Sequence, residues 1–389
     1  MGPLEARIRR RLDDWEAEGL LRILRPPAGI DFSSNDYLNL STHPIIVDRF
    51  ARAVQREGCG STGSRLLRGE REVFTAVEQR FASFKQAERA LYFSSGYLAN
   101  IGVMTTMVER GDVVFSDERN HASLIDGVRL SAATRVVFPH NDIRRLATLL
   151  AARRSDGAAS DGHCFVVVES LFSMDGDFAP LADYAALCRS AGATLIVDEA
   201  HAVGAYGASG SGFLEASGVD HDDLVSINTA GKAMGVSGAF VAGPRWAIDY
   251  LIQRARPFVF TTAPPPALAE ALDASLDVIA GEPERRRRLA TRVSLLRQQL
   301  VRAGVAVSPE GSQIIPIVIG ENDRAVAAAQ ALQTQGYDVR AIRPPTVAPG
   351  AARLRISVNA GLTDRTIERF AVSVAATLKE VGLCSAGSS

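Results

Sequence analysis

CFVVVESLFSMDGDFAPLADYAALCRSAGATLIVDEAH, residues 164–201, sets two short apolar runs, CFVVVE and TLIVDE, on either side of the helical stretch LADYAALCRSAG. Apolar runs of this length between polar turns read as strands covered on both faces, the condition of parallel strands joined by crossover helices. The same alternation extends outward from about residue 86 to 243. RALYF, DVVFS and TRVVF precede the quoted stretch, LVSIN and GAFVAG follow it, and YLANIGVMTTMVER and IRRLATLLAARR are helical in period. The pattern predicts an α/β fold whose large domain is a mostly parallel sheet with helices on both faces.

The flanks have a different texture. Residues 4–22 read as an amphipathic helix with Leu4, Ile8, Leu12 and Trp15 on one face, ended by RPPAG. PFVFTTAPPPALAEAL breaks the alternation, and a long helix follows it, interrupted near GEPE. Beyond LVRAG, the run SQIIPIVIG, a helix over 322–335, YDVRAI, ARLRISV and a last helix over 363–381 predict a smaller α+β C-terminal domain. The expected division is an N-terminal helix and extended segment (1–45), a large domain (46–285) and a small one (286–389). No internal repeat is visible, and ARRSDGAASDGHC (152–164) reads as a polar surface loop.

Composition narrows the function class. With 47% apolar and 22% charged residues the chain is an ordinary globular one, and a formal charge of −1 offers no basic field for nucleic acid or anionic lipid. Neither nucleic acid nor membrane is an expected partner, since no run reaches the ~18 apolar residues of a span. Cys59, Cys164, Cys188 and Cys384 are scattered, with no metal-ligand spacing, so free thiols in a reducing cytoplasm are expected. GCGSTG (58–63) follows a helical stretch rather than a strand, which denies it the dinucleotide-binding context. RRRR (285–288) opens a helix and reads as a solvated face.

Ligands of open α/β sheets gather at the carboxyl ends of the strands. TLIVD ends there on Asp198, with His201 three residues on; a strand-end carboxyl group also serves simply to cap the next loop. YFSSGYLAN passes through Ser95 and Gly96 into a helix opening at Tyr97, a turn that presents free amides to an anion such as phosphate. INTAGKAMGVSGAFVAG (227–243) places Lys232, one of few lysines, among glycines and alanines, with Thr229 three residues before it. A turn lysine at a surface is the commoner case, but desolvation makes a lysine a nucleophilic amine able to form a Schiff base. Amine, strand-end acid, phosphate-type turn and hydroxyl together are what pyridoxal 5′-phosphate requires. His43, His163 and His221 read as structural histidines, and Tyr37 and Trp15 as packing residues.

FSSNDYLNLS, GSTGSRLLRGE, NHASLIDG, FPHND, SLFSMDGDFAPL, VDEAHAVGAYGASGSG, TAGKAMGVSGA, FTTAPPP and AIRPPTVAPGAARLRIS run in order between residues 31 and 357. On these stretches the chain resembles the α-oxoamine synthases, pyridoxal-phosphate enzymes of aminotransferase-like architecture (PLP fold type I). The resemblance implies that Lys232 is the Schiff-base lysine, Asp198 the partner of the pyridine nitrogen and His201 that of the phenolic oxygen. It implies that His121 stacks over the ring, that Gly96 and Tyr97 offer phosphate-binding amides, and that Ser173 and Thr229 add hydroxyls. Arg343 would hold the amino-acid carboxylate, Thr346 and Asn35 would lie near substrate, and Arg22 would meet the acyl-chain carboxylate. The family's site forms between the subunits of a homodimer, with Thr262 reaching the neighbour's phosphate.

AIRPPTV followed by ARLRIS resembles the branch that makes 8-amino-7-oxononanoate for biotin. The implied reaction joins L-alanine to a pimeloyl thioester of coenzyme A or an acyl-carrier protein, with loss of carbon dioxide. Departures from the family pattern (GCGSTGS, Ala202, Ser170, TVAPG, and NAGLTD without a histidine) remove no chemical group from the cofactor site. Three alternatives stand beside this reading: a relative using glycine or serine with another acyl-CoA, an ordinary aminotransferase, and a non-catalytic cofactor-holding dimer with a binding or scaffolding role.

Overall fold

A computed structural model describes residues 2–155 and 162–383. Cys384 and the centre of the 152–164 loop lie outside the described residues. The chain divides into two compact units, one of Met1–Ser34, Met174–Gly176 and Arg288–Ser389, the other of Asn35–Ser173 and Asp177–Arg287. The 1–45 segment set apart in the sequence is thus shared between the two.

The larger unit is built on a seven-stranded sheet. Its strands are β1 (Arg89–Phe93), β2 (Val113–Asp117), β3 (Thr134–Phe138), β4 (Cys164–Glu169), β5 (Thr194–Asp198), β6 (Leu224–Thr229) and β7 (Ala239–Gly243). The spatial order is β1-β7-β6-β5-β4-β2-β3. β3, β2, β4, β5 and β6 run parallel, and only β7 is antiparallel to both neighbours. The apolar runs have the expected cause: every residue of β2 and β7 is buried, because helices cover both faces. Two apolar cores result. One gathers Val103, Met104, Ile196, Val241 and Leu251, the other Phe138, Val166, Tyr184 and Leu195.

The smaller unit holds a three-stranded antiparallel sheet in the order Ala341–Ile342, Ala352–Ser357, Ile314–Gly320, with helices Asn322–Thr334 and Asp364–Glu380. Its N-terminal residues belong to it through specific bonds. Ser357 N donates to Phe32 O at 2.8 Å, and the Phe32 ring stacks on Phe370 with centroids 3.7 Å apart. YDVRAI does not form one strand: Tyr337–Asp338 pairs in parallel with Ile30–Asp31, and Ala341–Ile342 pairs with Arg353 and Leu354. The first helix is Pro3–Ala17, shorter than the periodicity suggested, because Gly19 turns at φ +64°. None of its residues is buried: Leu4, Ile8, Leu12 and Trp15 are 42–58% exposed.

Candidate active site

Three parallel strands of the larger unit deliver polar groups to their carboxyl ends. β4 ends on Glu169, β5 on Asp198 and β6 on Thr229, and Glu169 stands opposite Asp198 in register. Asp198 is buried, with each oxygen occupied: Oδ1 accepts from Ala200 N at 2.9 Å and Oδ2 from Asn100 Nδ2 at 2.7 Å. Asn100 lies on the helix Gly96–Met107, and its Nδ2 also donates to Ser123 Oγ at 2.8 Å. Ser123 Oγ in turn lies 2.6 Å from His121 Nδ1. A continuous chain of polar contacts therefore ties Asp198 to His121 through two residues the sequence reading did not single out.

The lysine sits in the turn between the antiparallel strands β6 and β7. Gly235 adopts φ +69°, and a Cβ there would collide with the backbone of Leu40 and Ser41. The absent side chain lets the segment Asn35–Ser41 lie against the lysine turn. Asp36 shapes that segment, accepting from Leu40 N at 2.8 Å and from Ser41 Oγ at 2.6 Å. Tyr37 is carried inward as a result. Its hydroxyl lies 2.6 Å from His201 Nδ1 and 3.0 Å from Asn35 Oδ1, while His201 Nε2 lies 2.7 Å from Lys232 Nζ. Asn35, Tyr37, His201 and Lys232 form a second chain. Tyr37 is fully buried as expected of a packing residue, but it also makes a polar contact that the packing reading omitted.

His201 owes its place to its neighbour Glu199. That carboxyl group is fully buried, ion-paired with the equally buried Lys85, and accepts from Phe213 N at 2.6 Å and Leu214 N at 2.9 Å. It clamps the glycine-rich loop that follows His201. Two titrations are shifted in this pocket. Burial, assisted by Asp198, pushes the Glu169 carboxyl group up to about 8, so it is mostly protonated at neutral pH. Burial also lowers His121, against the pull of Asp198 and with the push of Lys232. Its Nδ1 accepts from Ser123 N at 3.2 Å, which leaves Nε2 as the protonated nitrogen of the neutral ring.

At the phosphate end, Ser95 caps its helix by accepting from Leu98 N at 3.2 Å. The first amides of a helix, here those of Gly96 and Tyr97, have no acceptor within it. A Cβ on Gly96 would run into Thr229 Oγ1, so the bare glycine keeps that hydroxyl against the helix start. These features fit pyridoxal 5′-phosphate. An anion cradle with a hydroxyl, an amine and a strand-end acid are gathered in one unit. Asn100 Oδ1 and Glu169 Oε1 are buried without a hydrogen-bond partner among the described residues. Ser173 is buried on the loop after β4, its amide donating to Glu169 Oε2 at 3.2 Å.

The remaining expected residues lie elsewhere. Thr262 is exposed on a loop of the larger unit and joins neither chain. Arg22, Arg343 and Thr346 lie in the smaller unit, around one groove of about 720 Å³ that Arg25 and Arg340 also line. There Arg343 donates to the carbonyls of Gly19 and Leu21, and burial with the nearby Arg22 holds its guanidinium below arginine's ordinary value.

The aminotransferase class I and II family model matches residues 27–374. An 8-amino-7-oxononanoate synthase of Azoarcus sp. (strain BH72) is 44% identical over 95% of this chain and 97% of its own. One from Anaeromyxobacter dehalogenans is 44% identical over 96% of each. The chain belongs to the α-oxoamine synthases of this aminotransferase family. Its cofactor is pyridoxal 5′-phosphate, and its chemistry is the acyl transfer of the biotin-synthesis branch. Among solved structures, the fold is shared with a serine palmitoyltransferase from S. paucimobilis bearing a bound PLP–myriocin aldimine. That match has a TM-score of 0.89 at 27% identity and covers 99% of this chain and all of that one. The 8-amino-7-oxononanoate synthase of Francisella tularensis matches at 0.78 and 28% identity, over 90% and 98% of the two chains. Among the described residues no helix is long and apolar enough to cross a membrane.

Proposed function

We propose that the enzyme joins L-alanine to a pimeloyl thioester, releasing carbon dioxide and the free thiol carrier and giving 8-amino-7-oxononanoate. The observation that carries this reading is the pair of hydrogen-bond chains. One places an imidazole 2.7 Å from the Lys232 amine, and the other holds the strand-end acid Asp198 by two donors. When bound, pyridoxal 5′-phosphate supplies an aldehyde carbon for an amine and a pyridine ring that takes up the electron pair left on the amino acid's Cα. Lys232 is the attachment residue and afterwards the base at that Cα. With the cofactor bound, Asp198 would face the ring nitrogen, His201 the phenolic oxygen, and the neutral His121 would cover the ring. The amides of Gly96 and Tyr97 would hold the phosphate, and the hydroxyls of Thr229 and Ser173 would add contacts to the cofactor.

Arg343 holds the alanine carboxylate until its loss, with Asn35 and Thr346 beside the substrates. Arg22 meets the terminal carboxylate of the acyl chain. The working form is a homodimer, in which Thr262 reaches the partner's phosphate. The exposed Leu67 and Phe260 (84% and 72%) and the open apolar face of the first helix support a covered surface there. The unbridged Cys59, Cys164 and Cys188 support a cytoplasmic setting.

Mass spectrometry of the product tests the reaction, with purified protein, alanine and pimeloyl-CoA, then with the acyl-carrier-protein thioester. The aminooxononanoate from either donor is expected, and its absence with both would overturn the assignment. A second reading, serine with a long-chain acyl donor, is favoured by the superposition on serine palmitoyltransferase. Turnover with alanine, glycine and serine in competition separates the two.

A further inference from the structure

Tyr37 is fully buried, and its hydroxyl is placed between two side chains rather than in solvent. A phenol has one proton to give. Here it is given to Asn35 Oδ1 at 3.0 Å, so at the 2.6 Å contact with His201 the phenol oxygen is the acceptor and Nδ1 carries the hydrogen. In a neutral imidazole the other nitrogen is then a bare lone pair. That nitrogen, Nε2, lies 2.7 Å from Lys232 Nζ.

We propose that Tyr37 is a positioning residue that fixes His201 as its Nδ1–H tautomer, so that Nε2 takes a proton from the Lys232 ammonium and frees the neutral amine that captures pyridoxal 5′-phosphate. The Nζ–H bond breaks and its electron pair stays on Nζ. The Nε2–H bond forms, and the positive charge moves to the imidazolium. The Nδ1–H of that imidazolium already rests on the Tyr37 oxygen, with Asn35 behind it. The inference rests on Lys232 being the capturing amine. Other ionisable groups act on this site. Glu169 and Asp198 come from the strand ends, and His121 precedes the helix Ala122–Leu130. Glu199, two residues before His201, is turned away and paired with Lys85.

Two measurements test it. In the full-length apoprotein, nitrogen-15 NMR of labelled histidine, assigned with His201→Gln, should show His201 protonated at Nδ1 with Nε2 as the acceptor. The opposite tautomer overturns the proposal, whatever the variants do. The second measurement is the rate of cofactor capture against pH, followed by the growth of the visible absorbance band. Losing the acceptor for an imidazolium proton should make Tyr37→Phe about tenfold slower at neutral pH and shift the midpoint about one pH unit upward, with capture recovering in alkali. A Tyr37→Phe profile superimposable on that of the unmodified protein refutes the role. Lys232→Ala is the control. A visible band in that variant would remove the lysine assignment itself, a failure distinct from that of the tyrosine.

Discussion

Gly96→Ala is the most direct probe of the phosphate cradle. A Cβ at this position would overlap Thr229 Oγ1 and lie 3.4 Å from Thr229 Cβ and 3.6 Å from Cγ2. The obstacle is a β-branched side chain at the end of a buried strand, with few rotamers to escape into, so the hydroxyl must turn away from the helix start. The amides of Gly96 and Tyr97 stay in place, because the Ser95 cap is untouched. What is lost is one hydrogen bond to a doubly charged phosphate, about 1.5–3 kcal/mol. At about 1.4 kcal/mol per decade, cofactor binding should weaken roughly 10- to 150-fold. Alanine is the better helix former, so the apoprotein should lose at most about 1 kcal/mol of stability and could gain as much. The expected signature is weak cofactor binding on an intact fold. Titration of apoprotein with pyridoxal 5′-phosphate measures it, alongside Thr229→Val, which deletes the same hydroxyl directly. The two single variants should match, and the double variant should add little, since both act on one contact. Binding by Gly96→Ala within twofold of the unmodified protein, or fully additive losses in the double variant, would refute the cradle.

Four further outcomes follow from the same geometry. Lys85→Met leaves Glu199 buried with only two backbone amides, and should cost about 3–5 kcal/mol in denaturant unfolding; a loss under about 1 kcal/mol would contradict the clamp. Burial alone would lower His140, but Asp117 at 3.0 Å and Asp177 at 2.7 Å override it and raise the imidazole to about 9. Its stabilising share is therefore complete below the ordinary value of 6.5 and disappears as pH climbs through about 9. The melting temperature should fall more steeply over that range than in His140→Gln, and parallel profiles would contradict it. Glu169 binds a proton up to about 8 when folded but only to about 4.5 when unfolded, so stability declines with rising pH between those values. Glu169→Gln should flatten that decline in pH-dependent melting. Arg22→Met should raise KM for the pimeloyl thioester while leaving an uncharged acyl thioester of equal length unaffected; equal effects on both would deny it a carboxylate.

Much of the fold was legible because most strands of the seven-stranded sheet are apolar on both faces, a pattern that needs no partner to be recognised. One part of the candidate site is signalled where a polar group closes such a run. Asp198 closing TLIVD gave that signal, and Glu169 closing CFVVVE gave the same one without being taken up. Asn100 gave a fainter form of it, a polar residue on the buried face of Ala99, Val103 and Met104. Tyr37 gave none. An aromatic residue in a turn reads as packing, and its polar partner is 164 positions away, so no local spacing can reveal the bond. The first helix forms as its amphipathic period suggests, and the single chain leaves its apolar stripe open. YDVRAI failed as a strand because its two ends pair with different partners.

Fold similarity alone does not single out an acyl donor, since both a serine palmitoyltransferase and an oxononanoate synthase share the fold. The backbone superposes on serine palmitoyltransferase at 0.89, while the 44% identities are to oxononanoate synthases. A TM-score measures the path of the chain, and the sheet and the cradle at its strand ends belong to the fold common to both kinds of enzyme. Choice of acyl group depends instead on side chains. Arg22, Arg25, Arg340 and Arg343 border the groove in the smaller unit, with Ile23, Leu24 and Ile342 among the apolar contributions to its wall. A long saturated chain laid there would cover exposed guanidinium groups such as those of Arg22 and Arg25 and return no hydrogen bond to them, at a cost in desolvation. A chain of a few methylenes ending in a carboxylate suits the same wall, with apolar contacts along its length and a charge-assisted pair at its tip. The proposed seat of the acyl chain in that groove, where four arginines outnumber Glu16 and Asp323, would thus suit a dicarboxylic donor better than a fatty one.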